Sequence, residues 1–152
     1  MIRIAVGAIV TCGDQFLLVH KSKINTKNGK QDMESEWDFV KGGVKLRDAD
    51  LESALIRELE EETGTKSYKI LNQFDEKLCF HFPEKIRGEI GYDRQETTMF
   101  HVKYIGDKDK LIPHDDEIKD VQFVDRETAF CYLTHKDTKK YFKKQVELGR
   151  IV

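Results

Sequence analysis

Apolar residues follow two rhythms along this chain. Residues 2–10 and 15–20 are rich in Ile, Val and Leu, and Cys12-Gly13-Asp14 between them supplies turn chemistry, which predicts a β-hairpin. Glu36-Trp37-Asp38-Phe39-Val40 alternates as a short strand and runs into Lys41-Gly42-Gly43, a sharp punctuation of the backbone. Residues 67–82, 97–105 and 119–124 read as further strands, with a charged, Gly-containing connection from Pro83 to Gln95 between the first two. The second rhythm is helical: Leu51, Leu55 and Leu59 repeat at i, i+4 and i+8, Asp50 is a candidate N-cap, and Gly64 stands where a helix should stop. Asp125 can cap a short helix through Leu133, and Asp137 can open another to about residue 147, with Phe142 and Val146 facing inward. Lys21 to Ser35 follows neither rhythm, and its Ser, Asn, Lys, Gly and Gln content predicts a mobile surface loop. The mixed order of elements predicts an α/β fold in which helices cover the faces of a mixed sheet.

Composition narrows the class. A chain of 152 residues with 39% hydrophobic and 36% charged positions suits one folded domain, spanning residues 1–152. The net charge of −2 supplies no overall basic field for nucleic acid or anionic membrane, so such a partner needs a local patch. The longest apolar run, Ile4 to Val10, is far below the roughly 20 residues of a membrane span, so no membrane partner is expected. Cys12, Cys79 and Cys131 are odd in number and lack metal-site spacing, which predicts reduced thiols and a cytoplasmic setting. Monomer and homodimer are both left open.

The helix over 51–62 breaks two rules at once. On an ideal helix at about 100° per residue, Glu58 and Glu62 fall on or beside the leucine stripe. Glu61 joins them at i+3 from Glu58, so three carboxylates share one side within about 6 Å at Cβ. Together with Glu60 they crowd the end where the helix dipole favours cations. A solvated acidic helix end is the ordinary explanation for a Glu run. Here the acids intrude on the apolar stripe, Arg57 stands beside them, and a Gly-Gly turn precedes the helix. Hard carboxylate oxygens so gathered suit Mg²⁺ or Mn²⁺, ions that usually also contact substrate phosphates.

From Gly43 to Thr65 the sequence resembles the signature of Nudix hydrolases: Gly, five residues, Glu, seven residues, then Arg-Glu-aliphatic-x-Glu-Glu-x-Gly-aliphatic. Arg57-Glu58-Leu59-Glu60-Glu61-Glu62-Thr63-Gly64 matches every fixed position, while Ala49 stands where the first glutamate belongs and Thr65 replaces the aliphatic residue. The resemblance implies a Nudix-type α/β/α sandwich with a loop-helix-loop catalytic motif, cleaving nucleoside diphosphates linked to a further group. It implies that Glu58, Glu61 and Glu62 bind metal with a backbone carbonyl near Gly42, and that Arg57 orients the carboxylates. In the family the first glutamate mainly supports the loop, and Asp48 and Asp50 are the candidates to replace it. Water would attack one phosphorus while a carboxylate, Glu61 or Glu117, takes the proton.

Outside this motif, Phe82-Pro83, Ile86-Arg87, Gly91-Tyr92, Gln95 and the Glu117 to Val124 segment resemble the subgroup of diadenosine tetraphosphate hydrolases and bacterial RNA pyrophosphohydrolases. Thr98 and Val40 depart from that pattern. The expected substrate is accordingly a dinucleoside polyphosphate such as diadenosine tetraphosphate. Lys41, Gly43 and Arg87 are candidates for its phosphates, and Tyr92 and Tyr132, with Phe82, for its bases. His114 adjoins Glu117 as a candidate phosphate or proton group. The alternatives are an RNA 5′ end, tracked by Lys136, Lys139, Lys140, Lys143 and Lys144, and a housecleaning pyrophosphatase acting on nucleoside triphosphates or ADP-ribose. A nucleotide-binding regulatory domain without hydrolysis is the non-enzymatic alternative, favoured by Ala49 alone.

Overall fold

The computed structural model describes residues 1–114 and 116–151, leaving aside the side chains of 24–26, 31 and 33. Among the described residues the order is β1 (Ile2–Cys12), β2 (Gln15–Thr26), β3 (Gly29–Asp38), β4 (Val40–Gly43), α1 (Leu51–Thr63), β5 (Tyr68–His81), α2 (Glu84–Ile90), β6 (Arg94–Tyr104), β7 (Ile118–Val124), α3 (Arg126–Tyr132) and α4 (Lys136–Glu147). The strands form one mixed sheet with the path β3-β2-β1-β6-β5. Its axis is β1, which runs parallel to β6 from Ile2 opposite Arg94 to Thr11 opposite Lys103. The alternation of apolar side chains along β1 feeds two cores. Val6, Ala8 and Val10 pack with Leu55 and Leu59 of α1, whereas Ile9 packs with Phe16, Leu18, Phe39, Leu133 and Phe142 beneath α3 and α4. The architecture is the expected layered α/β/α arrangement on a mixed sheet.

The sheet is split in a way that shapes the site. Beyond the hairpin pairs Thr11 with Phe16 and Cys12 with Gln15, β1 and β2 diverge. β4 takes the edge of β1 from Ala5 opposite Gly43 to Ala8 opposite Val40, and β7 takes β2 from Phe16 opposite Val124 to Lys21 opposite Ile118. The glycines expected as a turn are therefore strand residues.

Three other expectations are corrected. Residues 21–35, expected as a mobile loop, form the outer part of the β2–β3 hairpin, with Lys23 opposite Asp32 and Thr26 opposite Gly29. Backbone pairing makes these strands, and polar ties dock them, with the Lys27 N–H donating to the Glu89 carbonyl of α2 at 2.9 Å and Lys30 paired with Asp116 at 2.6 Å; contacts of that kind leave no apolar alternation in the sequence. The Pro83 to Gln95 connection contains α2, and α4 is capped at His135, not at Asp137. No described helix is long and apolar enough to cross a membrane.

Candidate active site

Both ends of α1 are set locally. The Asp50 carboxylate accepts the Ser53 N–H at 2.7 Å, and Gly64, at φ 79°, donates its N–H to the Glu60 carbonyl at 2.8 Å. A Cβ at Gly64 would lie 2.0 Å from the Ile112 carbonyl oxygen, because the segment before β7 docks there. Ile112 and His114 donate their N–H groups to the Thr63 and Glu61 carbonyls at 3.0 and 3.1 Å. The last turn has no basic residue, so this segment caps it and carries Glu117 toward the acids.

Glu58 and Glu62 are buried together with Leu55 and Leu59, as the intruding stripe required. Glu58 accepts Arg57 Nη1 at 2.8 Å, and Glu61, about one-third exposed at 35%, accepts the same nitrogen at 3.4 Å. The rest of the guanidinium grips Asp48 twice, at 2.9 and 2.8 Å, and the Gly43 carbonyl at 3.1 Å. Asp48, not Asp50, is the carboxylate beside Arg57, and Asp50 caps the helix. Arg57 and the Lys45 N–H hold the Asp48 carboxyl well below the usual carboxylate range.

Opposite Glu58 lies β4, and a Cβ on Gly42 would lie 1.9 Å from the Glu58 carboxyl carbon. Only hydrogen fits there. Gly42→Ala is expected to fold, since its backbone conformation is ordinary strand, yet to displace Glu58 and lower turnover by about 10²-fold. Circular dichroism and steady-state assays check the two halves of that statement.

Glu62 is 2% exposed and neither carboxylate oxygen accepts a hydrogen bond. Burial pushes its carboxyl well above the ordinary range, against the pull of Lys21, whose ammonium is 4.0 Å from Oε1. Burial would lower the Lys21 pKa, but Glu62, Asp38 and Glu117 together raise it. Asp38 is buried and paired with Lys41 at 3.0 Å. Burial disfavours the Asp38 anion, but Lys41 and Lys21 outweigh it and hold its carboxyl low. Lys21, Asp38, Lys41, Glu62 and Glu117 therefore form a charged seam in the opening between β2 and β4. Lys21 and Asp38 escaped the sequence reading because they lie on strands far from the acidic helix in sequence.

Among the described residues no three Asp, Glu, His or Cys side chains are gathered into a finished metal cage. Arg57, Lys45 and Lys21 hold the acids instead, with Lys45 Nζ 4.0 Å from Glu61. The donor chemistry nonetheless fits a hard divalent cation: buried oxygens of Glu62 accept no hydrogen bond, and the bare backbone of Gly42 lies against Glu58.

The remaining candidates separate into those near this cluster and those elsewhere. The Gly43 carbonyl is used by Arg57. Lys41 is turned inward, donating to Thr138 at 3.0 Å, which removes it as an exposed phosphate ligand. Arg87 in α2 donates to the Phe82 carbonyl at 2.8 Å, locking the turn after β5, and half-buried Tyr92 follows α2. Tyr132 lies at the end of α3 with its ring 5.4 Å from that of Trp37, which stacks on His20 at 4.6 Å.

Comparison with known proteins follows the same outline. The NUDIX domain family matches residues 1–146. The chain is 34% identical over 124 residues to an RNA pyrophosphohydrolase of Nitratiruptor sp. (76% of this chain, 79% of that protein). It is 32% identical over 116 residues to one of Campylobacter jejuni (75% and 74%). Among solved structures, a C. elegans Ap4A hydrolase complex superposes with a TM-score of 0.67 at 19% identity, covering 98% of this chain and 99% of that one. The MutT protein of Methanosarcina mazei gives 0.70 at 19%, covering 99% and 96%. The match over residues 1–146 and the relatives above 30% identity show that the chain belongs to the Nudix family and is a hydrolase of pyrophosphate bonds.

Proposed function

We propose that this hydrolase removes pyrophosphate or phosphate from the 5′-polyphosphate end of RNA. The observation that carries the proposal is the similarity, above 30% identity over three-quarters of the chain, to proteins named RNA pyrophosphohydrolase. It reverses the order expected from the sequence, in which the dinucleoside polyphosphate came first. The surface of α4 supports it: Lys136, Lys140, Lys143 and Lys144 are exposed, a basic face for the phosphates of a strand in a chain of net charge −2. Diadenosine tetraphosphate remains the second reading, favoured by two separate ring groups that could each meet a base, His20 with Trp37 and Tyr132, and Phe80 with His135.

Glu58, Glu61 and Glu62 would hold Mg²⁺ or Mn²⁺, which when bound would neutralise phosphate oxygens and make an attacking water more acidic. Arg57 keeps Glu58 and Glu61 aimed at one place, and Asp48 keeps Arg57 there. Glu61 takes the proton from water, because it is the more exposed acid and its contact with Arg57 is long, at 3.4 Å. Glu61→Gln is expected to slow turnover by roughly 10²- to 10⁴-fold, and Glu117→Gln by far less. Single-turnover rates across pH separate them: the reverse order makes Glu117 the base.

The decisive experiment is product analysis with 5′-triphosphorylated RNA and diadenosine tetraphosphate, each with Mg²⁺ and with EDTA. The expected result is preferential conversion of RNA to the 5′-monophosphate, abolished by EDTA. Preferential cleavage of the dinucleotide selects the second reading. Binding without metal-dependent cleavage of any nucleoside polyphosphate overturns both.

A further inference from the structure

Lys23 of β2 and Lys30 of β3 are diagonal neighbours on one face of the outer hairpin, because Lys23 stands opposite Asp32 and Lys30 opposite Asn25. Two cations so placed repel each other, and an anion between them relieves it. Asp116 supplies that anion from the segment before β7, with Oδ1 2.6 Å from Lys30 Nζ and Oδ2 3.7 Å from Lys23 Nζ. The Lys30 ammonium also lies 3.9 Å from Oε1 of the next residue, Glu117. The Ser22 N–H donates to the Glu117 carbonyl at 2.9 Å, which ties the main chain there to the root of the same hairpin.

The hairpin is itself held at its far end. The Lys27 N–H donates to the Glu89 carbonyl of α2 at 2.9 Å, and a Cβ on Gly91 would lie 2.9 Å from Lys27 Cε, so the turn rests against the end of α2. The start of the 112–117 segment is fixed by the Ile112 and His114 N–H groups on the carbonyls at the end of α1. Glu117 therefore stands between two anchors, the acidic helix and the hairpin. Its charge bears on both Lys21 and Glu62. Asp116 is 62% exposed, too wet for its pairs to add much to stability, so their consequence is geometric.

We propose that Asp116 is a positioning residue: caught between Lys23 and Lys30, it fastens the segment that carries Glu117 to the hairpin and so fixes the Glu117 carboxylate beside Lys21 and Glu62. The proposal rests on the reading of a hydrolytic centre in which Glu117 takes part. It gives the hairpin, expected from the sequence as a mobile loop, a task in the reaction. A reacting group displaced by about 1 Å forfeits much of its contribution to rate, so a brace of small energetic value has a kinetic effect.

Asp116→Asn keeps the shape and removes the charge, and Lys23→Gln combined with Lys30→Gln removes both partners. With whichever of 5′-triphosphorylated RNA and diadenosine tetraphosphate the wild type cleaves, each change is expected to lower kcat by about three- to tenfold and to leave KM and Tm unchanged, while Lys30→Arg retains the rate. In the Glu117→Gln background the same changes should cost nothing further. Amide exchange in EDTA supplies a readout free of catalysis: the Ser22 N–H, bonded to the Glu117 carbonyl, should exchange at least about threefold faster in Asp116→Asn. A kcat equal to that of the wild type, a loss that persists in the Glu117→Gln background, or unchanged exchange overturns the proposal. Faster exchange in a protein that cleaves neither substrate keeps the fastening of Glu117 and removes the hydrolytic reading.

Discussion

Glu62→Gln is expected to lose turnover by roughly 10²- to 10³-fold and, without metal, to melt at a higher temperature than the wild type. The first effect follows from removing a charged oxygen where several kcal/mol of transition-state charge must be balanced. The second follows from burial. Neither Glu62 oxygen accepts a hydrogen bond, and among the described residues the cation beside it is Lys21, at 4.0 Å from Oε1. An unsatisfied buried polar group costs about 1–3 kcal/mol. Gln keeps a buried polar group there but removes the desolvation of an anion, and in a chain of this size each kcal/mol so relieved moves Tm by about 2–4 °C. The pH dependence has a definite sign. Glu62 has a folded pKa above its unfolded one, so its stabilising share is complete below the ordinary Glu range and is lost as pH rises through the raised value. Thermal melts in EDTA across that window should slope downward for the wild type and flatten for Glu62→Gln. A lower Tm for the variant would mean that the Lys21 pairing outweighs desolvation.

Asp48→Asn is expected to lower turnover by about 10- to 100-fold, the usual cost of losing a partner that orients a metal ligand. Asp50→Ala, two residues away, should lower Tm by removing the Ser53 cap yet leave kcat unchanged. Arg57→Ala should cost more than Asp48→Asn, because one guanidinium serves Asp48, Glu58, Glu61 and the Gly43 carbonyl. The Asp48–Arg57 double mutant should be no worse than Arg57→Ala alone, a non-additivity that a double-mutant cycle on kcat/KM reads directly. Additive losses would show that Asp48 acts apart from Arg57. The Asp48 carboxyl is held low by Arg57, so its stabilising share is intact at neutral pH and fades only as pH falls below the ordinary carboxylate range.

These two predictions also show the difference between what was and was not legible along the chain. The helix 51–63, its cap at Asp50, its stop at Gly64 and its misplaced acids were legible because capping, periodicity and like-charge crowding all act within a few residues. The two buried strands of the hairpin declared themselves by continuous apolar content. The outer β2–β3 hairpin did not, because its strands are joined by backbone hydrogen bonds and polar ties to their neighbours, which no apolar pattern announces.

What the sequence by itself determined is the layered α/β class, the acid-bearing helix and the family. What only the tertiary structure decided is which groups meet that helix. Asp48 rather than Asp50 takes the Arg57 fork, Lys21 faces Glu62, and Lys41 turns inward to Asp38 and Thr138. Lys21 meets Glu62 and Lys41 meets Thr138 through elements far apart in the chain, while Asp48 reaches Arg57 across the loop before α1 and Lys41 reaches Asp38 across the bend between β3 and β4. Charge contacts of that kind leave no periodic trace, because the partners share neither a helix face nor a strand.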